Sequence, residues 1–275
     1  MKIALVQQHA GHDRQENRDR GLVAVRKAAQ NGAEVVCFAE LAFDRFYPQI
    51  PATPENIAKA EPIPGPTTET FSELAAELGI VIVLNVFEQA GGDPGLTFDS
   101  SPVIDADGTV LGITRMVHIT EYEFFHEQGY YTPGDKGVPV FDTRFGRIGV
   151  AICYDRHYPE YMRALAVAGA EVVVVPQAGA TGEWPEGLYE AEMQVAAFQN
   201  GYFVALCNRV GKEEKLTFAG ESFVCGPDGR VLARAPQAED AILHCDLDLD
   251  QVAQSHARQL FLRDRRPELY GDWLD

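Results

Sequence analysis

GAEVVCFAE (residues 32–40) and GAEVVVVPQ (residues 169–177) begin alike, with a glycine, Ala-Glu and a run rich in valine. Each run is apolar at successive positions rather than at every second one, and each is too short for a helix. Such a segment reads as a strand covered on both faces. The residues before each run have helical spacing. Asp13 to Gln30 places Leu22, Val25, Ala28 and Ala29 at helical intervals, and YPEYMRALAVAGA (158–170) opens with a proline suited to a first helical turn. A strand precedes each helix, IALV (3–6) in one case and the apolar run Gly146 to Cys153 in the other. One β-α-β unit used twice is the simplest account.

Further along, Pro62, Pro64 and Pro66 lead into a predicted helix, TTETFSELAAELG (67–79), and then a strand, IVIVLNVF (80–87). DADGTVLG (105–112) and CGPDGRVLA (225–233) carry hairpin signals. Strands covered by helices predict an α/β layered fold. With no long low-complexity linker, residues 1–275 read as a single domain. Pattern alone leaves the connectivity across the middle unread.

Composition narrows the function classes. Lys+Arg 23 against Asp+Glu 41 gives a net charge of −18, which argues against nucleic acid or an anionic membrane as partner. The five cysteines (Cys37, Cys153, Cys207, Cys225, Cys245) are scattered and form no C-x-x-C pair, which favours reduced thiols over disulfides or a zinc site. The apolar run at the amino terminus is too short for a signal-peptide core, so the expected location is cytoplasmic. The histidines lack ligand spacing and no glycine-rich phosphate loop is present, so neither metal nor cofactor is expected.

Two residues stand where chemistry is expected. In GVAICYDRHYPE (149–160), Cys153 ends a strand just before a helix. Ligand sites in α/β sheets favour strand carboxyl ends, and a helix amino terminus lowers a thiol pKa. Against this, free cysteine is commonly buried filler. Glu40 likewise ends a strand beside Phe38, Leu41 and Phe43, where desolvation would suit a general base. Its bland reading is a solvated loop residue. A cysteine and a glutamate ending two similar units is more specific than either alone.

These segments, with others, resemble the carbon–nitrogen hydrolase (nitrilase) superfamily over nearly the whole chain. The matching motifs are MKIALVQ, FAELAF, EQGYYTPGD (127–135), GRIGVAICYDRHYPE (146–160), NRVG (208–211) and DRRPELY (264–270), in family order. TRMVHI (114–119) followed by CYDRHYPE looks most similar to enzymes acting on N-carbamoyl compounds, such as β-ureidopropionase and the N-carbamoyl-amino-acid amidohydrolases. The resemblance implies a four-layer α-β-β-α sandwich that associates into homodimers or larger homo-oligomers. It implies Cys153 as nucleophile, Glu40 as base, Glu127 as supporting carboxylate and the Tyr154 backbone N–H as oxyanion donor. Arg156 and His157 would face a small-molecule substrate.

One position departs from the family. Its lysine falls on Met116, with Arg115 and His118 in register around it. Methionine donates no hydrogen bond, and losing one oxyanion donor costs about 10²–10³ in rate. Arg115 turned inward would replace the cation, as would Lys212 or Lys215 reaching in from the loop after NRVG; failing these, the scaffold would be catalytically silent. An active but unusual hydrolase of a ureido compound is the preferred reading, with a broad-range amidase or nitrilase as alternative. The tract GATGEWPEGLYEAE (179–192), with Trp184 and Tyr189, reads either as pocket wall or as ordinary packing.

Overall fold

The computed structural model describes residues 1–91 and 95–274. In chain order the first half comprises β1 (Lys2–Gln7), α1 (Arg14–Gln30), β2 (Val35–Phe38), α2 (Pro66–Leu78), β3 (Val81–Val83), β4 (Val86–Ala90), β5 (Leu96–Ile104) and β6 (Val110–Arg115). The second half comprises β7 (Val140–Thr143), β8 (Gly146–Val150), α3 (Pro159–Val167), β9 (Val172–Gln177), α4 (Leu188–Asn200), β10 (Phe203–Asn208), β11 (Phe223–Cys225), β12 (Val231–Arg234) and β13 (Ala241–Asp246).

The two glycines that open the repeated stretches have the same conformational task. Gly32 and Gly169 lie at φ +86° and +94°, where a side chain is strained, and each turns the chain from a helix back into the next strand. The helix α1 starts where the Asp13 carboxylate accepts the Gln15 and Glu16 N–H groups.

Each β-α-β unit builds the parallel centre of a sheet. In the first sheet β1, β2 and β3 are parallel, β13 closes one edge against β1, and β5 joins the other side antiparallel to β3, β4 and β6. In the second, β8, β9 and β10 are parallel, extended by β7 on one side and by β11 and β12 on the other. The repeated strands β2 and β9 are therefore each the middle of a parallel trio.

Side-chain alternation then dictates the layers. Val35 and Cys37 of β2 face Val172 and Val174 of β9 across the gap between the sheets, together with Leu5, Val83, Val150 and Ala205. Val36 and Phe38 point the other way, onto Val25 and Ala28 of α1 and Phe71 and Leu74 of α2. Val173 and Val175 pack on Tyr161 and Leu165 of α3 and on Met193 and Ala197 of α4. The result is an α-β-β-α sandwich. Among the described residues no helix is long and apolar enough to cross a membrane.

One element differs from the sequence reading. IVIVLNVF forms two strands, β3 and β4, with a break at Leu84–Asn85. Asn85 turns inward, accepts the Leu41 N–H at 2.7 Å and donates to Asp99 and Ser101. A buried amide must satisfy these bonds, and a regular strand would point it elsewhere. The break thus ties the first sheet to the loop that carries Glu40.

Candidate active site

Both strand ends singled out in the sequence meet at one place. Glu40 lies two residues beyond β2 and Cys153 three beyond β8. Their reactive atoms, with a carboxylate oxygen of Glu127, lie within 4.8 Å of one another. Glu40 and Glu127 are 0% exposed and Cys153 5% exposed. Glu127 begins a short 3₁₀ turn, Glu127–Gly129, immediately after a two-stranded hairpin.

The backbone at both strand ends is left-handed. Cys153 has φ +42° and Leu41, next to Glu40, has φ +45°. Non-glycine residues adopt this region at a cost of about 1–3 kcal/mol and keep it only when neighbours enforce it. Two buried arginines do so. The Arg209 guanidinium donates to the carbonyls of Glu40 (2.8 Å), Leu41 and Asp44, and its charge is met by Glu213. The Arg156 guanidinium donates to the Cys153 carbonyl at 3.0 Å and to Gln177 at 2.9 Å, pairs with Glu192 and lies over the Tyr189 ring.

Burial decides the protonation states. Desolvation and the neighbouring Glu127 push the Glu40 carboxyl up to about 8, while hydrogen bonds to Asp99 and Cys153 and the charge of Arg209 pull the other way. Burial likewise raises Glu127, with Asp99 adding to it, and raises Asp99 beside Glu40. Glu127 accepts the Thr120 N–H through Oε2 only, leaving Oε1 without a protein donor.

The Cys153 thiol is a correction to the sequence reading. Its pKa is not lowered by a helix amino terminus: burial raises it well above the usual thiol value, and Glu40 and Glu127 raise it further. The residues after Cys153 form a 3₁₀ turn, Cys153–His157, and α3 begins only at Pro159. The distance from α3 leaves the carboxylates as the dominant neighbours. Arg156 and the Ala178 backbone N–H oppose them.

The segment around Met116, where the resemblance leads one to expect a lysine, is held firmly. Met116 is fully buried in the core between the sheets that also contains Cys153 and Ile152. Its backbone bonds Asp99 and Gly134. Asp155 fastens the rest, accepting the Val117 and His118 N–H groups and pairing with His118 Nδ1 at 2.7 Å. His118 stacks on Tyr158 with ring centroids 3.4 Å apart.

None of the three cations suggested from the sequence, Arg115, Lys212 and Lys215, turns into the buried site. Arg115 faces away, clamped on Glu88 and Asp135 and lying 3.9 Å from the Phe98 ring centroid. Its position at the end of β6 directs it to the opposite face from Met116, as strand alternation requires. Lys212, which ends the short strand Val210–Lys212, and Lys215, in the turn after it, are exposed, whereas the site is buried.

Of the substrate-facing residues expected from the motif, His157 bonds Glu192 at 2.7 Å and packs its ring near Trp184. Tyr154 packs against the rings of His157 and Tyr158. The tract 179–192 contributes to both alternatives: Trp184 and Tyr189 line a cavity of about 540 Å³, and they also pack on His157 and Arg156. The Tyr122 and Tyr189 hydroxyls both donate to Glu183.

Sequence reasoning missed Asn85, Asp99, Arg209 and Glu183. A polar residue inside an apolar run, as at Asn85, was the one available signal. Glu40, Glu127 and Cys153 also form the one group with metal-ligand spacing among the described residues. Burial raises the pKa of all three, so any metal there must displace their protons.

Comparison with known proteins agrees with this geometry. A family model described as carbon-nitrogen hydrolase matches residues 2–257. An N-carbamoylputrescine amidase of Solanum lycopersicum is 38% identical over 260 residues, covering 90% of this chain and 85% of that protein. A carbon-nitrogen hydrolase of Helicobacter pylori G27 superposes with a TM-score of 0.93 at 28% identity, covering 100% of this chain and 98% of the other. An amidase of Nesterenkonia sp. AN1, described as carrying acrylamide added to its active-site cysteine, superposes with a TM-score of 0.82 at 28% identity, over 100% and 97% of the two chains.

Proposed function

The chain belongs to the carbon–nitrogen hydrolase family, and from that premise we propose that it hydrolyses a small linear N-carbamoyl (ureido) compound through an acyl-enzyme on Cys153. The observation that carries this reading is the convergence of Glu40, Glu127 and the Cys153 sulfur within 4.8 Å in a buried niche. The N-carbamoyl activity named for the 38% identical relative supports the substrate class.

In this mechanism Glu40 removes the thiol proton as sulfur bonds to the carbonyl carbon. The carbonyl π pair moves onto oxygen, where the Tyr154 N–H receives it. As the C–N bond breaks, Glu40 returns the proton to the leaving nitrogen, and an acyl thioester remains on Cys153. Glu40 then takes a proton from water, whose oxygen attacks the acyl carbon, and as the C–S bond breaks Glu40 passes that proton to the departing sulfur, restoring the thiol and the carboxylate. A base near 8 suits this two-way traffic at cellular pH. Glu127 orients the reacting groups, and Arg156 and His157 shape the substrate side. The protein works as a homodimer or larger homo-oligomer, a reading supported by exposed apolar residues such as Val167 and Phe198 on the outer helices.

The rival reading, a silent scaffold, draws on Met116. Iodoacetamide separates the two: selective alkylation of Cys153 ahead of the other four thiols favours the enzyme. Ammonia release from N-carbamoylputrescine tests the proposal directly. The Cys153→Ala protein must lose it; undiminished release would overturn the mechanism.

A further inference from the structure

A second carboxyl stands behind the base. Asp99 lies in β5, 1% exposed, and both its backbone and its side chain are tied down. Its carbonyl accepts the Met116 N–H at 2.9 Å, and its Oδ1 accepts from the Asn85 amide. The oxygen of that same amide accepts the Leu41 N–H, one residue past Glu40. Asn85 thus holds the Asp99 side chain against the loop that carries the base. The remaining oxygen of Asp99, Oδ2, is buried and meets no N–H or hydroxyl donor. Apart from the titrating groups of Asp99 and Cys153, the same holds for both oxygens of Glu40, and the Asp99 and Glu40 carboxyls are within hydrogen-bonding reach of each other.

Two carboxyls in contact and closed off from water share a proton, because adjacent carboxylates do not both stay ionised there. Their surroundings decide which one holds it. The Arg209 guanidinium bonds the Glu40 carbonyl at 2.8 Å, and its charge favours the ionised form of Glu40. Asp99 has acids for neighbours instead: Glu40, Glu127 and Asp155, with the Tyr131 hydroxyl also close. Burial and the Glu40 carboxyl hold Asp99 well above the usual carboxylate range, against the pull of the Asn85 N–H. We propose that Asp99 is a positioning residue for the base: it keeps its carboxylic acid proton and donates it in a hydrogen bond to Glu40, so that the pair carries one negative charge and that charge sits on the carboxylate beside Cys153. The inference rests on Glu40 as base, as in the proposed function, and adds the group that holds that base in place.

A donor on one oxygen of Glu40 fixes the carboxylate and leaves the other oxygen for the thiol proton. The proton count closes over the cycle. The pair starts with one proton, on Asp99. It holds two after Glu40 takes the Cys153 proton, and one again when Glu40 passes that proton to the leaving nitrogen. Deacylation repeats the exchange, with water as the source and the departing sulfur as the acceptor. The proton of Asp99 itself stays in place throughout, so Asp99 does not compete with Glu40 for the thiol proton. An ionised Asp99 would act in the opposite sense, repelling charge from Glu40 and keeping the base protonated.

Asp99→Asn and Asp99→Ala separate the donor from the charge. Asparagine still donates to Glu40 and accepts from Asn85; alanine does neither. For ammonia release from N-carbamoylputrescine by the full-length protein, Asp99→Asn should keep the wild-type midpoint of the kcat/KM pH profile, with turnover lowered severalfold. Asp99→Ala should move the midpoint up by about one pH unit or more and lower kcat/KM at pH 7 about tenfold or more. A downward shift in both variants would show that an ionised Asp99 had been repelling Glu40, and overturns the inference. An unmoved midpoint in Asp99→Ala marks a merely structural acceptor and overturns it too. Infrared spectroscopy needs no turnover. At pH 9 the wild-type protein should retain a carboxylic acid C=O band that moves when aspartate side chains are labelled with carbon-13, and Asp99→Asn should remove it. The absence of such a band overturns the inference whether or not the variants fold, and a labelled band that survives in Asp99→Asn belongs to Asp155 and overturns it equally. If the Asp99 band is found and no ammonia is released, the proposed function fails while the hydrogen bond from Asp99 to Glu40 stands.

Discussion

Replacing Glu40 by glutamine should abolish turnover and at the same time stabilise the protein in alkaline solution. The Glu40 carboxyl is fully buried and titrates near 8 instead of 4.5, chiefly because burial penalises its charge and Glu127 repels it. Its folded pKa is raised, so its contribution to stability is complete below the unfolded value, drains away as pH rises from about 4.5, and is gone above about 8. The displacement of about 3.5 pH units, at 1.36 kcal/mol for each, amounts to a ceiling of about 5 kcal/mol. Glutamine carries no charge and escapes this loss. Guanidinium denaturation of both proteins at pH 5, 7 and 9 reads the difference: the variant's advantage should widen from pH 5 to pH 8 and then level off. Ammonia release should fall about 10²–10⁴-fold through loss of the base. Parallel stability profiles across that range would show that Glu40 is solvated or paired, and the argument for a desolvated base would fail.

The wild-type kcat/KM should rise with pH and level off near 8, as Glu40 loses its proton in the free enzyme; a profile flat from pH 6 to 9 would refute its role. Arg209→Leu takes the guanidinium donor from the carbonyls of Glu40, Leu41 and Asp44 and the buried counter-charge from Glu213, and should cost about 3–5 kcal/mol in urea denaturation. Asn85→Ala removes the acceptor of the Leu41 N–H and should cost about 1–3 kcal/mol; a larger fractional drop in kcat than in substrate affinity would mark it as a positioning residue. Leu165→Ala, on the α3 face packed against β9 and far from the chemistry, should cost about 2–5 kcal/mol while the folded fraction keeps its turnover.

The repeated GAEVV stretches were legible because a doubly buried strand has no polar face to conceal. Their glycines, the flanking helices and both hairpins follow from local rules, and the structure forms each of them. IVIVLNVF misled because periodicity weighs Asn85 as one polar residue in an apolar run, whereas its amide is claimed by Leu41, Asp99 and Ser101 from other parts of the chain. The same blindness hid Arg209, whose partners on the Glu40 loop lie 165 to 169 positions away.

The order of residues by itself determined two strand–helix–strand units and the strand-end placement of Cys153 and Glu40. Those are properties of neighbours along the chain, governed by side-chain period and backbone preference. Only the tertiary structure decided that the two strand ends meet, that Arg115 turns away, and that the thiol pKa rises instead of falling. Each of these depends on distance and solvent exclusion between remote segments, and the field at Cys153 is set by Glu40 and Glu127 packed beside it, not by the helix that follows it in sequence.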